Sequence, residues 1–218
     1  MTVLNFAITQ VGVFVVMVTL VTCDGEPAFF TSKATPVPHL NGLICGTGFQ
    51  RFFHLWSLRV LGGIVAFDIS HLDQYATESL REVWEELSHG EQQAGTSTIY
   101  HFGYDRGDDE FVGFAYRSTN NFESEQLPFG TVTKPPYHGG LPLLGFPDDF
   151  VEVCRAQRAE QDQLGTEDRV YIGGQITAFT MQRNQGRKGA VWYGIETAHE
   201  FDDFDDMYVD CLDNLPQG

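Results

Sequence analysis

Positive charge is what this sequence has least of. Lys and Arg together number 13 against 30 Asp and Glu, a formal net charge of -17. Nucleic acids and anionic membranes are held by clustered Lys and Arg, so the composition excludes both as partners. It favours solubility, and basic partners or cations. Cysteine is scarce too. Cys23, Cys45, Cys154 and Cys211 stand far apart with no CxxC pair, which excludes zinc fingers and dithiol redox motifs. Reduced, mostly buried thiols of a cytoplasmic protein are expected instead. The histidines are scattered with no HxxxH or HxH spacing, each reading as a core or surface histidine rather than a ligand. No cofactor and no metal site is expected.

Long apolar runs are also missing. Val11 to Cys23 (VGVFVVMVTLVTC) has the look of a secretory core ending near a lipobox. Yet no Lys or Arg precedes Lys33, and Thr22 stands where a lipobox wants a smaller residue. The run is shorter than the ~20 apolar residues that span a bilayer. It reads as buried strand.

What is present is core material: 42% apolar residues, 13% aromatics and 18 Phe, enough for one large domain over 1–218 with an acidic segment over 196–218. Val3–Thr9 and Val13–Thr22 are rich in β-branched and aromatic residues and predict an opening hairpin through Gln10-Val11-Gly12. Asp24-Gly25-Glu26-Pro27 is turn chemistry, and a second hairpin is expected through Ala28–Lys33 and Leu40–Cys45. The unbroken apolar character of these strands predicts a sheet covered on both faces.

After Gly46-Thr47-Gly48, the spacing of Phe49, Phe52, Phe53, Trp56 and Val60 predicts a helix with an aromatic face, broken at Gly62-Gly63. A second helix is expected over 72–87. Strands follow at 97–104 and 111–118 around a polar tip at 105–109, with a third in 122–129, then a Pro- and Gly-rich loop over 134–147. Asp148 reads as the N-cap of a helix closed by Gly165, and 170–182 and 190–195 as final strands. Beyond them, Phe201, Phe204 and Tyr208 predict an acidic helix docked by one apolar face. Its carboxylates read as a solvated helix start or as oxygen ligands for a hard cation. The order of strands, two helices, strands, one helix, strands suggests stacked layers with helices outside two antiparallel sheets.

Three stretches carry a resemblance. Thr2-Val3-Leu4 directly follows Met1; Asn41-Gly42-Leu43-Ile44-Cys45-Gly46-Thr47-Gly48 runs into a helix; Ile172-Gly173-Gly174-Gln175-Ile176 follows one. In this order they resemble the nucleophile strand, glycine turn and late glycine pair of proteasome β-subunits and their bacterial relatives, within the Ntn hydrolases. The resemblance implies an α+β fold, a four-layer αββα sandwich with two antiparallel sheets, and a homo-oligomer in the form of a ring or filament. It implies an N-terminal threonine hydrolase of peptide or amide bonds, or a non-catalytic self-assembling subunit on the same fold.

For the hydrolase, the resemblance makes Thr2 the nucleophile once Met1 is removed. The freed α-amine, titrating near about 8, is its proton acceptor. Lys33, the first basic residue of the chain, takes the lysine role; its plain reading is a solvated strand end. The family's acid is expected half-way between them, where this sequence has Val18. Asp24 reaches that role only if the second strand slips or lengthens. Asp168, ahead of the late glycine pair, resembles a further family acid, or is a turn carboxylate. Independently, Cys45-Gly46-Thr47-Gly48 reads as a reactive-cysteine turn or an anion site at a helix start.

Overall fold

The computed structural model describes residues 2–23, 25–93, 95–140, 145–165, 169–184, 186–187 and 189–214. In chain order its strands are β1 (Leu4–Ile8), β2 (Gly12–Val18), β3 (Leu20–Cys23), β4 (Glu26–Phe30), β5 (Ala34–Val37), β6 (Gly42–Thr47), β7 (Thr98–Asp105), β8 (Glu110–Arg117), β9 (Ser124–Gln126), β10 (Gly130–Lys134), β11 (Gln175–Arg183) and β12 (Val191–Glu200). Its helices are α1 (Gln50–Gly63), α2 (Ile69–Glu85), α3 (His89–Gln93), α4 (Asp148–Gln161) and α5 (Phe204–Asp213). Two five-stranded sheets, ordered β10-β1-β2-β11-β12 and β5-β6-β7-β8-β9, and the β3-β4 ribbon are all antiparallel.

Side-chain alternation explains how one apolar run serves two cores, because successive residues of a strand face opposite sides of the sheet. Leu4, Phe6 and Ile8 of β1 and Val13, Val15 and Met17 of β2 join Leu43, Phe102 and Phe111 of the other sheet in one cluster. Ala7, Val16 and Val18 join Phe150 and Cys154 of α4 and Met207 and Cys211 of α5 in a second. A third cluster places Phe52, Trp56 and Val60 of α1 and Leu72, Leu80 and Val83 of α2 against Ile44, Ile99 and Tyr116 of the β5–β9 sheet. Gly46 permits that approach: a Cβ there would meet Phe53 at 2.6 Å.

Several boundaries differ from the sequence expectation. The stretch read as one strand over 13–22 divides at Thr19: β2 stays in the sheet with β1 and β11, while β3 leaves it to pair with β4. The expected second hairpin therefore splits as well, and β6 takes β5 as its partner. Helix α1 runs through Gly62-Gly63, with open space where their Cβ atoms would be. Helix α2 begins at Ile69, capped by Asp68, which accepts from the His71 amide at 2.8 Å. Asp148 is the first residue of α4 rather than its cap, and Pro147 precedes it. Strand β10, Gly130–Lys134, falls where no strand was predicted, just ahead of the loop expected over 134–147. At the C-terminal helix the docked face is Met207 and Cys211, while Tyr208 is half exposed. Asp202, Asp205 and Asp206 are exposed, but Asp203 is not merely solvated: it accepts a two-pronged pair from Arg158, and these hydrogen bonds hold its carboxyl below the usual range.

Buried polar groups tie α4 to the sheet. Asn5 Nδ2 donates to Gln157 Oε1 at 2.8 Å and to Cys154 Sγ at 3.3 Å, Gln157 Nε2 donates to Asn5 Oδ1 at 3.2 Å and to the Pro135 carbonyl, and the Lys134 amide donates to Asn5 Oδ1 at 3.1 Å. Asn5 and Gln157 are both fully buried. Gln157→Leu strips partners from Asn5 and from the Pro135 carbonyl, and unmet buried groups cost about 1–3 kcal/mol each. The expected result is a fall in urea midpoint equivalent to at least ~2 kcal/mol with an unchanged slope; an unchanged midpoint would contradict it.

Candidate active site

Lys33 lies in the short connection between β4 and β5 and is turned inward, 5% exposed. Its backbone carbonyl accepts from the Gly46 amide at 3.0 Å, pinning the connection to the end of β6. The ammonium donates to Thr2 Oγ1 at 2.7 Å and to the Leu20 carbonyl. Thr2, immediately ahead of β1, is itself buried. A small cavity of about 40 Å³ meets this pair, lined among others by Thr22, Gly46, Gly48, Gln50 and Phe53.

The late glycine pair braces this arrangement from behind. The Leu20 amide donates to the Gly173 carbonyl at 3.3 Å, and the Thr19 amide to that of Gln175 at 2.9 Å. Gly174 has φ 79°, and a Cβ there would meet Thr19 Oγ1 at 2.5 Å. Only glycine fits that close, left-handed position, so the pair fixes the Thr19–Leu20 corner whose carbonyl meets Lys33. Gly48 is equally constrained: its φ is 95°, and a Cβ would come within 2.2 Å of the Thr96 carbonyl. Its N–H makes no hydrogen bond to a described residue, while the next amide, Phe49, donates to Ser97 Oγ at 3.0 Å.

Electrostatics at Lys33 follow from burial. Removal from water disfavours the ammonium and lowers the lysine from its ordinary 10.5 to about 7. Among the described residues no carboxylate is paired with it. Val18, at the position of the expected acid, belongs to the apolar cluster with α4 and α5. Asp24 and Asp168 lie outside the described residues. The structure thus brings Thr2 and Lys33 together, and the plain reading of Lys33 as a solvated strand end is overturned.

Sequence reasoning passed over the Leu20 carbonyl, because backbone acceptors carry no residue signature. It also passed over a second lysine–threonine contact: Lys134 Nζ donates to Thr47 Oγ1 at 2.9 Å, with Lys134 opposite Leu4 in the β1–β10 pairing. Burial, then Arg117, holds the Lys134 ammonium below its ordinary value. The reactive-cysteine reading of Cys45 fails: the thiol is fully buried, and loss of solvent pushes its pKa far up, away from a thiolate. Cys154 is likewise buried and raised, to about 12, while Cys23 is exposed. No group of three or more metal-ligating side chains occurs among the described residues, and no described helix is long and apolar enough to cross a membrane.

No protein-family model and no curated protein matches the sequence. Among solved structures, the fold is similar to that of Anbu (ancestral beta-subunit) from Yersinia bercovieri, with a TM-score of 0.56 and 11% identity over 98% of this chain and 97% of that one. At that identity the likeness is one of fold alone.

Proposed function

We propose that the chain is a threonine-nucleophile hydrolase of peptide or amide bonds, a single domain over 1–218 built as a four-layer αββα sandwich. The observation that carries this reading is the buried contact of 2.7 Å between Lys33 Nζ and Thr2 Oγ1. Thr2 Oγ1 attacks the carbonyl carbon, and its proton passes to Lys33 Nζ in the neutral form that burial makes available above about 7 or, once Met1 is removed, to the chain's own α-amine. Gly48 lines the same cavity, and its N–H serves as the donor for the oxygen on which negative charge develops. The leaving amine takes the proton, and water then cleaves the ester on Thr2.

A second reading has its own observation. With Val18 buried among apolar side chains and so little space beside Thr2, the chain serves as a non-catalytic, self-assembling subunit of a ring or filament. Either way the proposal includes a homo-oligomer. The aromatic side chains of α1 do not supply its contacts, because Phe52, Phe53 and Trp56 are spent on the core. Leu58, Leu61, Val65 and Phe67, exposed on α1 and the connection to α2, are among the apolar groups left for neighbours.

Covalent labelling separates the two readings. A β-lactone needs only the hydroxyl, whereas a peptide epoxyketone closes its ring on both the hydroxyl and a free α-amine. Labelling by both, with an intact mass lacking Met1, is the expected result, and Thr2→Ala abolishes it. Absence of labelling by the lactone in an intact oligomer leaves the scaffold reading.

A further inference from the structure

We propose that Arg106 and Arg187 form an oxyanion-binding site at the end of the molecule remote from Thr2. Three turns meet there. Asn41 lies between β5 and β6, Arg106 between β7 and β8, and Arg187, Gly189 and Ala190 between β11 and β12. Together these five residues line a cavity of about 390 Å³, within the size range of small-ligand pockets. Strand β6 sets the separation: Asn41 precedes its first residue, and the Thr2 cavity is lined by Gly46 and Gly48 at its other end. At about 3.3 Å per residue, the two sites stand on the order of 20 Å apart.

The charge pattern is what singles the cavity out. The other arginines are committed: Arg51, Arg59, Arg117, Arg155, Arg158, Arg169 and Arg183 each pair with a carboxylate, and Arg81 donates to the Asn121 carbonyl. Among the described residues neither Arg106 nor Arg187 has a carboxylate within ion-pair distance, in a chain with 30 of them. Two acids beside Arg106 accept from backbone amides instead. Asp68 caps α2 through the His71 amide, and its other oxygen takes the Arg106 amide at 3.4 Å. Asp105 accepts from the Gly107 and Asp108 amides.

The frame is also tied in advance. Asn41, held at φ 48°, donates from Nδ2 to the Gly189 carbonyl at 3.2 Å, stitching two of the three turns together. Its own carbonyl accepts from the Tyr104 amide at 3.0 Å. Arg106 and Arg187 are both exposed and line one cavity, and their like charges repel each other until an anion enters. Their planar forks match phosphate and carboxylate oxygens. The ligand is therefore an oxyanion with two or more charges, supplied as a free phosphate or polycarboxylate or by the exposed Asp202, Asp205 and Asp206 of a second copy.

The test uses the full chain at low salt, with inorganic phosphate, pyrophosphate and citrate as probes in calorimetry. Wild type and Arg155→Gln, which removes an exposed arginine elsewhere, are expected to bind at least one probe alike. The doubly substituted Arg106→Gln, Arg187→Gln chain should bind at least tenfold more weakly with its far-ultraviolet spectrum unchanged. If self-association also falls in both the double-arginine chain and an Asp202→Asn, Asp205→Asn, Asp206→Asn chain, the second copy supplies the oxyanion. If association is untouched while probe binding is lost, the ligand is a free anion. Equal binding by the double-arginine chain and wild type, or no binding and no arginine-dependent association at all, overturns the site. Neither arm depends on Thr2, so its failure is separate from that of the hydrolase reading.

Discussion

Lys33→Met is expected to slow lactone acylation of Thr2 by about 10³-fold, within the usual range for loss of a positioned general base, and Lys33→Arg should be no better. Arginine keeps the charge but does not give up its proton at working pH, so the pair of variants separates proton transfer from electrostatic support. The pH profile carries the same information. Because burial brings Lys33 to about 7, the wild-type acylation rate should climb as pH rises through that value and level off above it. A flat profile, or an arginine variant as fast as wild type, would leave the α-amine as sole acceptor.

Stability gives a readout independent of turnover. An unfolded Lys33 holds its proton up to about 10.4, whereas the folded one releases it near about 7. Between those values the unfolded chain binds more protons, so this group's contribution is complete above the unfolded pKa and is lost as pH falls through the folded one. The difference is about 5 kcal/mol. Lys33→Met lacks it, so wild-type stability minus that of the variant should rise steadily from pH 7 to pH 10. Cys45, whose buried thiol opposes stability at high pH, is common to both chains and cancels.

The parts of this site that were legible in the sequence are those carried by side-chain type and order. Thr2 beside Met1, a first lysine at 33, and two glycine turns at fixed places in the order of elements pointed to one another before any geometry was known. The αβ arrangement was legible for a related reason: uninterrupted apolar strands require both faces covered, and they are, as Phe6 and Ala7 of β1 enter different cores. What escaped was decided by the backbone. The departure of β3 from the sheet of β1 and β2 at Thr19 has no compositional mark, since Val18, Leu20 and Val21 are equally good in either partner's company. That departure is what delivers the Leu20 carbonyl to Lys33. Similarly, β10 is a short edge strand of Gly, Thr, Val, Thr and Lys, visible only because Asn5 and Leu4 are there to receive it. The two arginines of the remote cavity are separated in sequence by four strands and helix α4, so nothing local announces them.

Acid should unfold the protein through His101 more steeply than its carboxylates alone dictate. His101 stands on β7, fully buried, with its ring stacked on Trp56 at 5.6 Å and tilted against Tyr116 at 4.7 Å. Its Nε2 accepts from Trp56 Nε1 at 2.8 Å, so the proton of the neutral ring sits on Nδ1, which has no partner. Adding a second proton would set two N–H groups against each other in a dry site, and burial pushes the pKa from 6.5 to about 3. Unfolded histidine takes that proton near 6.5. This contribution is therefore complete above pH 6.5 and is lost as pH falls towards 3, by about 5 kcal/mol in all. His101→Gln retains an acceptor for Trp56 but does not titrate. The window between pH 6.5 and 5 lies above the ordinary carboxylate range, and there the wild-type urea midpoint should fall by the equivalent of about 1.4 kcal/mol per pH unit while the glutamine variant stays nearly level. Parallel slopes in that window would mean that folded His101 already carries the proton, which the Trp56 hydrogen bond forbids.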